Sequence, residues 1–214
     1  MYPYSAEPPF ALGQTYYNGR TIDSADLKGT ELEGRMWPFP DLDYASAESA
    51  KPYRTRRNKL CMIVRNVGAA AILAKFACTP QKSGVNYLGR VDGLVRLDND
   101  GPCFVADEYL PSAGCPVNDL MWVTVEGPTL AKTPMSGAAF NGDFAVGSRL
   151  VGVTAVTSGS TTAGRVGVIN TTGSTQTADY AFLADIAHNI IGRALSAITT
   201  GQTNADVLIV MGKF

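Results

Sequence analysis

His188 is the one histidine of the chain, and any Ser-His-Asp or Cys-His device would have to run through it. It stands between Ala187 and Asn189, and no G-x-S-x-G elbow occurs, so it reads as a helix-surface or interface residue. Asp107-Glu108 is an adjacent acidic pair. Neighbours on a strand point to opposite faces, so these two do not make a facing catalytic dyad by themselves. Asp119 and Glu126 bracket the most apolar strand and are expected to face solvent. The run Gly159 to Arg165 starts like a phosphate loop, but Arg165 stands where Lys is needed and Val166 where Ser or Thr is needed. It is read as a hairpin loop. Cys61, Cys78, Cys103 and Cys115 lack C-x-x-C spacing, so they read as reduced, partly buried thiols rather than zinc ligands. The polar residues converge on no reaction. The expectation is a non-enzyme with no catalytic, metal or cofactor site.

A second kind of chemistry is association. Residues 1–59 carry many prolines and an unusual density of rings: Tyr2, Tyr4, Phe10, Tyr16, Tyr17, Trp37, Phe39, Tyr44 and Tyr53. No period of 2 or 3.6 persists there, and Pro removes backbone donors, so the stretch is expected outside any sheet or long helix. Disordered tails are poor in aromatics. An arm this rich in rings must bury them, either on its own body or on a neighbouring subunit. The arm is acidic until residue 50 and ends in a basic run, Lys51, Arg54, Arg56, Arg57 and Lys59. That run reads either as a solvated linker or as a contact for an acidic partner surface. The candidate partner-binding residues are Tyr2, Tyr4, Phe10, Tyr16, Tyr17, Trp37, Phe39, Tyr44, Arg54, Arg56 and Arg57.

The elements that would position these residues are mostly strands. Of the 214 residues 45% are apolar, enough for a core, while only 17% are charged, against roughly 25% in typical globular chains. A weakly charged surface suits a protein packed against others. Formal net charge is −1, so there is no global nucleic-acid footprint. No run reaches the roughly 18 apolar residues of a membrane span. The start of the chain lacks a basic, then apolar, secretion signal, so synthesis in the cytoplasm is expected. From residue 60 the pattern is β-like. Leu60–Asn66, Gly89–Leu97, Leu120–Glu126, Leu150–Val156 and Arg165–Ile169 read as strands, and Ala69–Ala77 as a strand or short helix. Gly127-Pro128 is expected to stop Leu120–Glu126. Thr177 as cap, with Ala178, Phe182, Ile186 and Ile190 at i, i+4 spacing, predicts a helix over about 177–191, ended by Gly192. A hairpin closes the chain. The fold class is therefore mainly β, a compact β-barrel or β-sandwich over residues 60–214, with one C-terminal helix and an extended arm over 1–59.

The second half resembles phage head-decoration (capsid cement) proteins. The likeness is carried by Val105–Pro111 leading into Leu120–Pro128, by Gly142-Asp143-Phe144-Ala145-Val146-Gly147 before Leu150–Val153, by Gly192-Arg193-Ala194-Leu195, and by the closing Ala205–Val210. The resemblance implies a non-enzymatic protein on the outside of a virion, made in the host cytoplasm. It would bind the major capsid protein across subunit joints and itself, most simply as a trimer. Membrane and nucleic acid are not expected partners. In that setting Trp37 and Phe39, between Pro38 and Pro40, would be rigid anchors. The alternatives are another virion component (tail, neck or fibre protein, or the shell subunit), a small β hydrolase using Asp107, Glu108 or His188, or a glycan-binding β module stacking sugars on Trp37 or Trp122.

Overall fold

Leu60 to Val64 places apolar side chains on both faces of a strand, which is stable only with packing on each side. A computed structural model describes residues 7–16, 32–43, 46–81, 89–92, 103–132, 145–153, 165–167, 190–197 and 206–212. Its strands are β1 (Met36–Leu42), β2 (Tyr53–Asn66), β3 (Ala77–Pro80), β4 (Arg90–Asp92), β5 (Phe104–Ala106), β6 (Leu120–Lys132), β7 (Arg149–Val153), β8 (Arg165–Gly167), β9 (Ile190–Ala194) and β10 (Asp206–Met211). The chain is mainly β, and no α-helix occurs among the described residues.

The strands pair in the order β1-β2-β4-β3-β5-β6-β10-β9-β7-β8, and β2 also pairs with β6. Among the described strands only β2 with β4 is parallel. The pairings β2–β4, β4–β3, β3–β5, β5–β6 and β6–β2 thus return to their starting strand. Alternation then sorts the side chains into three cores. Met62, Val64, Cys78, Val91, Phe104, Ala106, Met121 and Val123 point to one. Their strand neighbours Cys61, Ile63, Leu120 and Trp122 point to a second, under Phe10, Trp37 and Phe39. Ala77 and Val105 turn the opposite way from Cys78 and Phe104, and meet Leu150, Ile191, Val207 and Ile209 in the third.

Four expectations about these elements need correcting. First, Gly127-Pro128 does not end a strand: β6 runs on to Lys132 and pairs with β10. Gly127 sits at φ +92°, and a Cβ there would lie 2.7 Å from the Asn58 carbonyl oxygen. Glycine therefore lets one strand turn past β2 and serve two sets of partners. Second, Ala69–Ala77 is neither helix nor long strand. It is bends and turns with an isolated bridge from Ile72 to Cys115, and β3 starts at Ala77.

Third, the helix expected over 177–191 lies outside the described residues except for its last two, Ile190 and Ile191, and these are strand. They open β9, where β-branched side chains fit the pleat. Gly192 is not a helix stop but a ladder residue opposite Met211, and a Cβ there would lie 2.1 Å from the Val210 carbonyl oxygen.

Fourth, the proline-rich arm does contribute a strand, and the boundary drawn at 59/60 falls inside β2. β1 is an edge strand. The Ile63 N–H donates to the Arg35 carbonyl, so by alternation residues 35, 37 and 39 face β2. Pro38 and Pro40 fall where an N–H would face outward, the position at which a sheet edge tolerates proline. They also blunt that edge against unwanted pairing.

Candidate functional site

The basic run of the sequence lies on β2 from Arg54 onward, and a bulge divides it. Opposite β1 the register jumps from Pro40↔Asn58 to Leu42↔Tyr53, so Asp41 alone faces Arg54 to Arg57. Arg56 takes φ +55° within this bulge, a left-handed conformation that costs a residue with a Cβ about 1–2 kcal/mol. The extra residues let neighbouring cations point in opposite directions.

Arg54 and Lys59 point inward. Arg54 grips Glu108 through both terminal nitrogens at 2.8 and 2.9 Å, and the same guanidinium pairs with Asp41. Thr55 Oγ1 donates to Asp41 at 2.8 Å. Lys59 Nζ lies 2.8 Å from Glu108 Oε1, both side chains being 1% exposed, and 4.7 Å above the Tyr109 ring. The Tyr109 hydroxyl donates to the Leu42 carbonyl at 2.8 Å. The cluster therefore joins β1, β2 and the turn after β5. Burial alone would lift the Glu108 carboxyl, but the Arg54 hydrogen bonds and the Lys59 charge outweigh it and hold the group below its ordinary value. Burial likewise opposes the Arg54 charge, and Glu108 and Asp41 reverse the balance and push its pKa up.

Asp107 differs. Burial pushes its carboxyl up against the opposing hydrogen bond from the Gly13 N–H, and it also accepts from the Tyr109 N–H at 3.2 Å. Through Gly13 it holds the segment 7–16. That segment lies over Trp122, whose indole N–H donates to the Phe10 carbonyl at 3.1 Å. Tyr16 bridges to Leu120 through backbone bonds of 2.9 and 3.1 Å. A second buried ion group repeats the logic upstream of β1: Glu33 accepts from Arg65 at 2.5 Å and from Arg90 at 3.1 Å.

Of the residues singled out by sequence, Phe10 and Phe39 pack on Trp122 at centroid separations of 5.2 and 5.0 Å. Trp37 is half-buried in the same core. Tyr16 is 44% exposed. Tyr2, Tyr4, Tyr17, Tyr44 and His188 lie outside the described residues. Asp119, expected in solvent, is buried, whereas Glu126 is exposed. Asp107 and Glu108 sit in the turn just past β5 rather than on a strand, and both are buried. The four cysteines are free and buried. Burial pushes Cys61 and Cys103 up to about 12, which keeps these thiols protonated and unreactive at neutral pH. Among the described residues no group of His, Cys, Asp and Glu is arranged to hold a metal ion.

What remains outward on the bulge is Arg56 and Arg57, both exposed. Beside them β2 parts from β6 and β10, leaving a cleft of about 550 Å³. Arg57 and Glu126 stand on its rim, and Pro38, Leu60, Val210 and Met211 supply apolar lining. Sequence reasoning named the arginines and placed Glu126 in solvent, but missed the cleft and its β10 residues, because no local pattern marks where two distant strands diverge. Compared with known proteins, the chain matches no family model, no curated protein and no solved structure.

Proposed function

We propose that the chain is a non-enzymatic virion protein that decorates a shell and stabilises it by binding the major capsid protein across subunit joints. One observation carries the reading. The buried charges Asp41, Arg65, Lys59 and Glu108 are engaged in fastening one part of the chain to another, while Arg56 and Arg57 of the same basic run face outward. The charged groups thus serve cohesion and contact. The low charge fraction of 17% and the Gly-paced pattern of residues 90–214 agree with it. We read the closed ring of pairings among β2, β3, β4, β5 and β6 as a small barrel, the shape expected of such a decoration protein. The protein would sit on the capsid exterior as a homo-oligomer, a trimer in the simplest case.

Of the two rings on which the glycan-binding alternative rests, Trp122 is fully buried and offers no face to a sugar, while Trp37 is half-buried. The test is co-sedimentation with empty shells assembled from the candidate major capsid protein. The expected result is saturable binding at a fixed ratio to shell subunits and a higher temperature of shell rupture. If the protein stays in the supernatant at every ratio, the reading falls.

A further inference from the structure

We propose that the Arg56–Arg57 bulge and the adjoining cleft bind an extended acidic peptide segment of a partner protein, a carboxylate on the arginines and a neighbouring apolar side chain in the cleft. The inference deepens the shell-binding reading, since it names the face and the chemistry by which the partner is held.

Three observations meet at this place. Arg56 and Arg57 are exposed and make no hydrogen bond or ion pair among the described residues, although Arg54 and Lys59 on the same strand are fully engaged. Arg56 holds a left-handed φ of +55° within the bulge, which parts it and Arg57 from the inward-facing Arg54 and Lys59. The cleft beside Arg57 is about 550 Å³, within the size range of built ligand sites, and its apolar part is made by Pro38, Leu60, Val210 and Met211.

The chemistry of the occupant follows. Guanidinium groups fit carboxylates through paired N–H donors. The apolar lining fits an aliphatic side chain next to that carboxylate. Glu126 on the same rim accepts from a peptide backbone N–H, a donor that a phosphate backbone lacks. A peptide is therefore favoured over nucleic acid. The arginines would act mainly on encounter rate and register, so binding should weaken with salt.

The test uses fluorescence anisotropy on the full chain with three labelled probes: a peptide alternating Glu and Leu, its Gln-for-Glu counterpart, and single-stranded oligothymidine. The expected result is binding of the acidic peptide, weakened about tenfold or more by Arg56→Glu/Arg57→Glu and weakened less by Arg57→Lys, which keeps the charge but not the paired donors. Thermal melting unchanged in these exposed variants shows that the fold is intact. Absent binding, equal binding by the double variant, or preference for oligothymidine overturns the proposal. Because no shell is present, this failure is separable from that of the capsid reading. If the peptide binds but shells do not, only the capsid reading falls.

Discussion

Two halves of one basic run behave as different materials. Arg54 and Lys59 are spent on Glu108 and Asp41 inside the protein, while Arg56 and Arg57, between them in sequence, face outward. All four cations lie within one short stretch of β2. The bulge opposite Asp41, not residue type, decides which are structural. A cation buried beside two acids is held by geometry and low dielectric. A cation on a bulge is available to whatever approaches. The strand therefore carries cohesion on its inner side and contact on its outer side.

The comparison breaks most severely at Glu108. Removing its side chain strands Arg54 and Lys59 together, so Glu108→Ala should lose about 3–5 kcal/mol of stability in urea titration. A loss under about 1 kcal/mol, the ordinary scale for an exposed pair, would place the cluster effectively in solvent. Lys59→Met takes away one cation but leaves Glu108 gripped by Arg54. It should cost about 1.5–3 kcal/mol, the scale of one charged hydrogen bond.

Acid should act on the same cluster. The folded Glu108 pKa lies below its ordinary 4.5, so its stabilisation is complete above that value and is lost as pH falls through the lower folded pKa. Asp107 runs the other way. Its pKa is raised from 3.8, so its contribution is greatest below that value and shrinks as pH rises through the folded pKa. Urea midpoints measured across this acid range should fall towards low pH in the wild type and fall less in Glu108→Ala. Parallel curves would show that another carboxylate governs acid unfolding.

The outer half sharpens the contrast with small effects. Arg56→Gly should raise stability by up to about 1 kcal/mol, because glycine adopts the left-handed φ without a Cβ clash. Arg57→Ala should stay within about 0.5 kcal/mol of the wild type, as exposed substitutions do. A large loss at either position would make the two halves alike.

Much of the sheet was readable from sequence, and the reasons for the rest are specific. Leu60–Asn66 and Leu120–Glu126 announce themselves by β-branched and apolar runs, and Val207–Met211 by its placement after a polar turn. β1 was hidden because Pro38 and Pro40 read as strand breakers, and only an edge position with outward nitrogens makes them compatible. β6 was cut short because Gly127-Pro128 also serves a turn past a neighbouring strand. Ile190 and Ile191 fit helical spacing as well as a pleat, and sheet partners decided the matter. The basic run was visible, but its division was not. Glu108 lies 54 residues from Arg54 and 49 from Lys59, so no local pattern pairs them. The cleft depends on strands even further apart.

The most direct test of the account is co-sedimentation of Arg56→Glu/Arg57→Glu with shells assembled from the candidate major capsid protein, beside the wild type and at matched melting temperature. The account predicts that the wild type pellets with the shells while the double variant, equally folded, stays in the supernatant. A double variant that pellets as fully as the wild type would contradict it.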